Sequence, residues 1–450
     1  MTLTPFKNSL PSKIILMSFL ILMLLIPLNM VLDLVKERET RRDEAISEVS
    51  SKWGQVQNLQ GPILTIPFKS YYVDEKNIRR MRISQASFLP ESLHISGSII
   101  PETRSRGLYE VILYRLNNLH FKGTFSRPDF SEFHVAAENI IWDDAFLSVG
   151  IPDTRGIQKE VVLKWGKGSV PFKPGVNNAD LLTSGIHARI GNPEKTGTKS
   201  IDFAFTLELQ GSSSLSFIPL GKETIVELES SWSHPSFDGA YLPDSREIAS
   251  QGFKALWNIS YFGRNYPQQW VTGLCPSEEE IAMSSFGVKL YQPVDFYQKC
   301  VRAAKYGLLF ISLTFLTFFL FEIFMKLSIH PLQYLLIGFA LSIFYLLFLS
   351  LSEHMNFIIS YMISSLGVIG MIWGYSRTIL KNKRGSSLMA LFLTCLYGYL
   401  FILLENQDYT LLLGSLALFI VLGVVMYITR NIDWYSLQLK KVEDTFLPEE

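Results

Sequence analysis

Charged residues and cysteines are scarce in this chain of 450 residues. Asp, Glu, Lys and Arg make up 18% of it, against about 25% in a typical soluble protein. The formal net charge is 0, so the chain lacks the basic field of a general nucleic-acid binder. Three cysteines are too few for a disulfide scaffold or a zinc ribbon. Because 48% of the residues are apolar, a disordered chain is excluded, and the composition indicates a membrane protein with a sizeable water-soluble part.

Catalytic and cofactor-binding motifs are missing as well. The sequence has no G-x-S-x-G elbow, no P-loop, no H-E-x-x-H and no dinucleotide fingerprint after a strand. None of its seven histidines stands at metal-ligand spacing from another. We therefore predict a protein that is not an enzyme and that needs no cofactor or metal. A site assembled from distant strands stays open as the alternative.

Six long apolar runs are the main positive feature of the sequence. The first, residues 14–35, has about the 20 residues needed to cross about 30 Å of hydrocarbon. No Ala, Gly or Ser stands between Asn29 and Glu44, where a signal peptidase would cut, so we predict an uncleaved anchor rather than a secretory signal. Five further runs follow Lys305: Gly307–Met325, Leu332–Leu351, Phe357–Tyr375, Leu388–Leu404 and Leu411–Ile428. They are apolar all round, unlike helices of a soluble core, and predict a helix bundle over residues 306–429.

The distribution of Lys and Arg predicts the orientation of these helices. Basic residues occur in the loops after the second and fourth helices and in the tail, residues 430–450, whereas the other two short loops have none. By the positive-inside rule the basic loops, the tail and residues 1–13 lie in the cytoplasm. The long segment between the first and second helices then lies on the far side of a plasma membrane.

That long segment is predicted to begin as a helix and continue as β-structure. In residues 36–60, apolar residues up to Trp53 recur at helical spacing, so the first membrane helix should continue outward as a stalk. A signalling lever and a plain structural stalk are both open. Residues 61–305 contain short runs rich in Val, Ile, Phe and Tyr that alternate with period two. They predict a large, antiparallel, all-β domain that is sandwich-like, with an open barrel as the alternative.

An internal similarity within this segment raises the question of duplication. FSRPDF at residues 125–130 resembles WSHPSF at residues 232–237, and each follows a strand-like run. A duplicated β unit and a chance match of two strand-exit turns are both open. Cys275 and Cys300 also lie in this segment. A disulfide between them would stabilise the fold by about 3 kcal/mol, and two separate thiols are the alternative.

Ionisable residues near helix ends are the functional candidates in the bundle, because a charge buried in a membrane is costly. Glu322 ends the second helix, and we expect it to pair with Lys326 four residues on; a proton or ion relay is the alternative. Glu353 and His354 are polar candidates at the outer end of the third helix, about 30 Å from His330 at its inner end. His330 and the proline after it are expected to start that helix.

Small residues on the fourth predicted helix are expected to form a packing face. Steps of four, three, three and four residues place them along one side of the helix, where they would let another backbone approach closely. A seam inside the bundle and a seat for a second copy or a partner helix are both open. The residues are Ser360, Ser364, Gly367, Gly370 and Gly374.

Several blocks of the sequence resemble the CreD family of bacterial inner-membrane proteins. The blocks are TRNIDWYS (429–436), HPLQYLLIG (330–338), LSEH (351–354), GPILTIPF (61–68), FLPESL (88–93) and SHPSFDGAYLP (233–243). The resemblance covers nearly the whole chain. It implies a non-enzymatic protein that supports or senses cell-envelope integrity, in association with envelope stress and two-component regulation. It supplies no catalytic residue and no ligand.

On this resemblance the β domain is periplasmic and serves as an interaction module, while the helices anchor it in the inner membrane. Expected partners are the lipid bilayer and a periplasmic or membrane protein such as an envelope-stress signalling component. Nucleic acid is not expected, and a homo-oligomer is open. The alternative function is transport or lipid handling through the bundle.

The C-terminal block is expected to form an interfacial anchor just past the last helix. Aromatic rings suit the headgroup level, and the arginine could pair with the aspartate three residues on. A docking surface for a cytoplasmic partner is the alternative. The residues are Arg430, Asp433, Trp434 and Tyr435.

Overall fold

A computed structural model describes residues 10–177, 182–192, 199–291, 296–325, 327–406 and 409–430. The chain forms two compact units. One contains residues 42–293 and is built mainly of β-strands; the other contains the residues before and after it and is helical.

The described residues contain eight α-helices. Six of them are long and apolar enough to cross a membrane, which confirms the six helices predicted from the sequence. The bounds are α1 Leu10–Trp53, α2 Glu278–Ala282, α3 Phe296–Lys305, α4 Gly307–Phe324, α5 Pro331–Ser352, α6 Phe357–Ile379, α7 Lys383–Glu405 and α8 Thr410–Thr429. The six candidate spans are α1 and α4 to α8. The short helix α3, which the sequence placed in the β-rich segment, belongs to the helical unit.

Seventeen strands form the other unit within the described ranges. They are β1 Gln57–Val73, β2 Arg79–Phe88, β3 Ser92–Arg106, β4 Tyr109–Ser126, β5 Phe146–Gly150, β6 Val162–Trp165, β7 Gly168–Pro171, β8 Lys173–Pro174, β9 Gly185–Arg189, β10 Ser200–Ser212, β11 Ser214–Phe217, β12 Glu223–Ser230, β13 Pro235–Gly239, β14 Ser245–Ala249, β15 Gly252–Ser260, β16 Gln269–Val271 and β17 Phe286–Leu290. One sheet has the order β13-β17-β11-β1-β5-β9-β8, with β2 paired to β1 and β16 paired to β2. The other has the order β14-β15-β12-β3-β4-β10-β6-β7.

Most neighbouring strands run antiparallel, but two pairs do not. β1 pairs with β11 in parallel, and so does β3 with β12. The expectation of a purely antiparallel domain is therefore wrong. Period-two alternation reports which face a side chain takes and not the direction of the neighbouring strand. The connection from β1 to β11 and the one from β3 to β12 are both much longer than the dozen or so residues that a parallel connection requires.

Residues from both sheets form one apolar core. Burial alternates along β12, as period-two patterning predicts. Phe121 of β4 and Phe205 of β10 stack with their ring centroids 4.6 Å apart. Trp257 of β15 is fully buried, with its ring 5.7 Å from those of Phe237 and Phe286. Each such aromatic side chain contributes about 2 to 3 kcal/mol by its burial.

The two similar hexapeptides have different conformations. Phe125 lies near the end of β4, and the chain after it passes through a loop to Phe130, which is buried ahead of a short 3₁₀ turn. In the second hexapeptide Trp232 lies in a loop, and Pro235 begins β13. The duplicated β unit stays a prediction that rests on the sequence similarity.

The last turns of α1 pack against the hairpin of β3 and β4. Nε1 of Trp53 donates a hydrogen bond to the carbonyl oxygen of Tyr114 at 3.4 Å. The indole ring also lies 4.1 Å from the guanidinium of Arg104 and 4.7 Å from that of Arg115. Gly54 follows with φ 159°, and a Cβ there would collide with a backbone carbonyl of β10. α1 ends at Trp53 and β1 begins at Gln57, so the helix is shorter than the stalk predicted over residues 36–60.

Asp153 ties the start of β1 to the loop after β5. Its carboxylate accepts hydrogen bonds from the backbone N–H of Gln55 at 3.1 Å and from Nε and Nη2 of Arg155 at 2.8 and 2.9 Å. The side chain is buried. The hydrogen bond from Arg155 is the main cause that lowers the pKa of Asp153 below its ordinary value of 3.8.

We predict that Asp153→Asn lowers the thermal midpoint of the β unit at pH 7, with a loss of about 2 kcal/mol from the charge-assisted hydrogen bonds. Because the folded-state pKa is lowered, the carboxylate contributes fully above the ordinary pKa and loses its contribution as the pH falls through the lower folded value. Tryptophan fluorescence of the full chain in detergent, melted from pH 7 to pH 2, should show wild type and variant converging in acid. Asp202→Asn on the exposed side of β10 should match wild type throughout; a gap that does not narrow as the pH falls would contradict the prediction.

Candidate functional site at the two ends of the first membrane helix

Glu322 is a buried carboxylate in the last turn of α4. Its side chain is 6% exposed, and Oε1 forms an ion pair with Nζ of Lys13 in α1. The same oxygen accepts a hydrogen bond from the backbone N–H of Ile329 at 3.3 Å. Oε2 accepts one from the hydroxyl of Tyr334 in α5 at 3.2 Å. This carboxylate therefore joins α1, α4 and α5 at one end of the helical unit.

A cation from the far end of the chain reaches Glu322, because the structure shows Lys13, 309 positions away, in contact with it. Lys326 lies outside the described residues, so its expected pairing with Glu322 stays a prediction. Helical spacing brings together residues three or four apart and cannot reveal a partner at the other end of the chain. With one cation and two neutral donors, the buried carboxylate is well satisfied.

The turn between α4 and α5 positions Tyr334 for this contact. His330 caps α5. Its ring Nδ1 accepts a hydrogen bond from the backbone N–H of Leu332. The backbone N–H of His330 donates to Oε1 of Gln333 at 2.9 Å. Pro331 occupies the first helical position, where its missing N–H costs nothing. The expected start of this helix is confirmed, and Tyr334 follows within the first turn.

Glu353 forms a second carboxylate cluster at the other end of α5. Its side chain is 8% exposed. Its Oε1 lies 3.7 Å from Nε of Arg38 in α1 and accepts a hydrogen bond from the hydroxyl of Tyr297 in α3 at 3.2 Å. His354, the next residue, is exposed. Of the two polar candidates at this helix end, the structure brings only Glu353 into contact with a neighbouring cation.

Both clusters take their cation from α1. Lys13 and Arg38 are about 37 Å apart along an ideal helix, and Tyr334 and Glu353 of α5 are about 28 Å apart. The clusters are thus separated by about the thickness of a hydrocarbon core. Two ion pairs at this spacing determine the position of α1 along its own axis and the side of α1 that packs against α5.

Glycines allow α1 to approach closely between the two clusters. A Cβ at Gly338 of α5 would collide with Leu24 of α1, and one at Gly307 of α4 would lie 2.7 Å from Leu28. Leu24 and Leu28 are buried. Because lipid tails are as apolar as leucine, close packing over small residues is a main source of helix association in a membrane.

The amphipathic helix α3, which the sequence reading missed, lies at the same end as Glu353. Nζ of Lys299 pairs with Oε1 of Glu405 at 2.7 Å and lies 4.0 Å from the ring of Phe357. Arg302 donates to the carbonyl oxygen of Leu404 at 3.2 Å. The signal for this helix was present in the sequence, since apolar positions 297, 300, 303 and 304 recur at helical spacing among polar and basic residues.

The small residues of α6 lie on two different surfaces. Ser360 and Ser364 are buried, and their hydroxyls donate to backbone carbonyls one turn earlier at 3.1 and 2.8 Å. The glycines are exposed, and a Cβ on any of them would meet nothing within 4 Å. They are Gly367, Gly370 and Gly374. The serines thus pack inside the bundle, whereas the glycines face away from it.

The other candidate residues lie apart from these clusters. Cys275 is half-buried in the β unit and donates its thiol to the carbonyl oxygen of Pro276 at 3.3 Å, while Cys300 is buried on α3. Their disulfide stays a prediction. Arg430 lies 4.1 Å from the ring of Tyr427. Outside the described residues lie Asp433, Trp434 and Tyr435, so the interfacial anchor is described only at its first residue.

Comparison with known proteins identifies the family of this chain. The family model described as inner membrane protein CreD matches residues 9–435. The chain belongs to the CreD family. The inner membrane protein CreD of Escherichia coli strain K12 is 34% identical over 429 residues, which cover 94% of this chain and 93% of that protein. No solved structure matches. This CreD-family protein is thus an inner-membrane protein with several membrane-spanning helices.

We predict that the Glu322–Lys13 pair is strongly coupled energetically in this CreD-family protein. Glu322→Gln should lower the free energy of unfolding by about 3 kcal/mol, because it leaves a half-buried lysine without its counter-charge. Lys13→Gln should cost a similar amount, and the double variant should cost less than the sum, with a coupling of about 1 to 3 kcal/mol. Unfolding of the purified chain in mixed micelles measures all four forms.

The matched control for this cycle is the more exposed pair of Lys299 and Glu405. Glu405 is 41% exposed, so the same glutamine substitutions there should change stability by about 0 to 1 kcal/mol. Strictly additive effects at Glu322 and Lys13 would show that their contact does not hold α1.

Proposed function

We propose that the protein supports or senses the integrity of the bacterial cell envelope without catalysing a reaction. In this proposal the β unit is a periplasmic interaction module, and the helices anchor it in the inner membrane. The observation that carries the proposal is the continuity of α1. Residues up to Arg41 belong to the helical unit, and those from Arg42 to the helix end at Trp53 belong to the β unit.

The orientation in this proposal is supported by the charges at the helix ends. Lys13 lies at the start of α1, Arg377 in the last turn of α6, Arg384 at the start of α7 and Arg430 just after α8. In an antiparallel succession of helices these ends lie on one side of the membrane. The positive-inside rule assigns that side to the cytoplasm, and the Trp53 end of α1 is then periplasmic.

The contacts of α1 support a role in transmission. An α-helix of 44 residues is about 66 Å long. Its membrane part is held by the clusters of Glu322 and Glu353, and its last turns are held by the hairpin of β3 and β4. A partner that binds two positions of α1 with different affinity would shift the balance between them. Such a shift is what a sensor of the envelope requires.

The same contacts argue against the alternative of transport through the bundle. A transporter holds its substrate and coupling ions near the midplane. Glu322 and Glu353 lie at helix ends, and each contacts a cation of α1. Their charges are satisfied in the structure by the docking of a helix.

We predict that the β unit is accessible from outside the cytoplasmic membrane. In a chain whose native cysteines are replaced by alanine, Lys76→Cys in the β1–β2 turn should react with a membrane-impermeant maleimide in cells with a permeabilised outer membrane. Arg384→Cys should react only after the inner membrane is broken. The reverse pattern of labelling would place the β unit in the cytoplasm and end the envelope proposal.

We predict that α1 must stay helical at Arg41 and Arg42, where the chain passes from the helical unit to the β unit. Seven Gly and Ser residues inserted between Arg41 and Arg42 should remove protection against detergent or cell-wall antibiotics in a strain that lacks the native gene. Seven alanines add nearly two helical turns and almost restore the rotation, so this matched insertion should retain more protection. Immunoblots of membranes check that both variants accumulate. Full protection by the flexible insertion would refute transmission through α1.

A further inference from the structure

The hairpin of β1 and β2 extends beyond the rest of its sheet. β1 pairs with β5 only up to Thr65, and β16 pairs with β2 only over Ala86 to Phe88. The pairing between β1 and β2 themselves continues to Val73 and Arg79. Residues 69–83 therefore form a two-stranded ribbon whose two outer edges have no strand partner among the described residues.

One face of this ribbon combines apolar side chains with cations. Directly opposed residues of antiparallel strands share a face, so three opposed pairs form it. They are Lys69–Ile83, Tyr71–Met81 and Val73–Arg79. The four apolar side chains are 46% to 61% exposed. The guanidinium of Arg79 lies 4.3 Å from the ring of Tyr71. Neighbouring exposed apolar side chains often mark an interaction site, whereas single exposed apolar side chains are normal on a protein surface.

The ribbon is also locally basic in a chain that has no net charge. Residues 69–83 contain five Lys or Arg and two acidic residues. The opposite face holds Tyr72, which is 50% exposed, beside Arg80 and Arg82. A binding partner must therefore supply both apolar contact and negative charge.

The turn of the ribbon is ordered by its own hydrogen bonds. The carboxylate of Asp74 accepts from the backbone N–H groups of Lys76 and Ile78 at 2.9 and 3.0 Å and from Nε of Arg80 at 2.7 Å. A surface organised in this way before binding loses less conformational entropy when a partner arrives.

The position of the polar residues favours a protein over a lipid bilayer as the partner. A hairpin that inserts into a bilayer needs apolar residues at its tip. The turn here, residues 74–78, has four polar or charged residues, Asp74-Glu75-Lys76-Asn77, and one exposed apolar residue, Ile78. The other exposed apolar residues lie along the two strands. Tyr, Met and Arg, which make up much of this face, are enriched in the cores of protein interfaces.

We propose that the ribbon binds an extended, acidic segment of a partner protein. The segment adds as a strand to an open edge of the ribbon, and its backbone satisfies the unpaired N–H and C=O groups. Its apolar side chains, which alternate onto one face, cover Tyr71 and Met81, and its carboxylates, which lie on the opposite face, meet Arg80 and Arg82. This binding site rests on the proposed role of the β unit as an interaction module and gives that role a surface and a ligand chemistry.

The test uses the full chain in nanodiscs of zwitterionic lipid and two fluorescent ten-residue peptides. In one peptide valine alternates with glutamate, and in the other valine alternates with lysine. We expect the acidic peptide to bind at least about tenfold more tightly and to weaken as salt is raised. Hydrogen exchange should show new protection in residues 69–83.

Two kinds of ribbon variant separate the contributions. Tyr71→Ser with Met81→Ser removes the apolar contact, and Arg79→Gln with Arg82→Gln removes charge without reversing it. Each should weaken the acidic peptide by about tenfold or more. The matched control is Arg246→Gln with Ile248→Ser on the edge strand β14, where Ile248 is 52% exposed. It should bind as wild type does, and equal melting curves show that all variants are folded.

Three results would overturn the binding site. They are equal binding of both peptides, an equal loss in the β14 control, and binding of the ribbon to phosphatidylglycerol vesicles in place of the acidic peptide. Ribbon variants that keep full envelope protection would also refute it, while the maleimide labelling of Lys76→Cys tests the proposed function separately. If that labelling places the β unit in the cytoplasm, the proposed function fails whatever the peptides do.

Discussion

A carboxylate buried at the end of a membrane helix is stabilised by a nearby cation, and α1 supplies one to each of two such carboxylates among the described residues. Glu322 and Glu353 belong to the C-terminal helices, whereas Lys13 and Arg38 belong to a helix that precedes them by hundreds of residues. Without α1, each carboxylate would lose its counter-charge, which is costly in a medium that cannot solvate it. The placement of α1 is therefore a condition for the stability of the helices it contacts.

One helix, α1, contributes residues to both units. The helix that supplies Lys13 and Arg38 also supplies Trp53, which is held against β3 and β4. Glycines at positions 307 and 338 bring α1 close to α4 and α5, so that leucines fill the space between the two ion pairs. A helix held in this way has a defined depth and rotation, which is the property that a transmitting element needs.

Local patterns predicted much of the fold. Apolar runs predicted the six long helices, period-two runs predicted the strands, and the His330-Pro331 pair predicted the start of α5. Two of the blocks that resemble the CreD family, HPLQYLLIG and LSEH, contain Tyr334, Gly338 and Glu353. Gly338 and Glu353 lie against α1, and Tyr334 donates a hydrogen bond to Glu322, the partner of Lys13 in α1. Their roles were not visible in the sequence, because their partners lie in a distant part of the chain. The exposed ribbon was missed for a similar reason, since the sequence does not show where the pairing of β1 with β5 and of β2 with β16 ends.

The sequence by itself determined where the chain enters a membrane-like environment, where strands occur and which side carries the positive charges. These properties depend on hydrophobicity and charge within windows of about 20 residues. Only the tertiary structure decided that Lys13 reaches Glu322, that two strand pairs run parallel, and that the glycines of α6 face away from the bundle while its serines are buried. Such contacts depend on which surfaces meet after the chain has folded, and no local spacing specifies a partner 309 residues away.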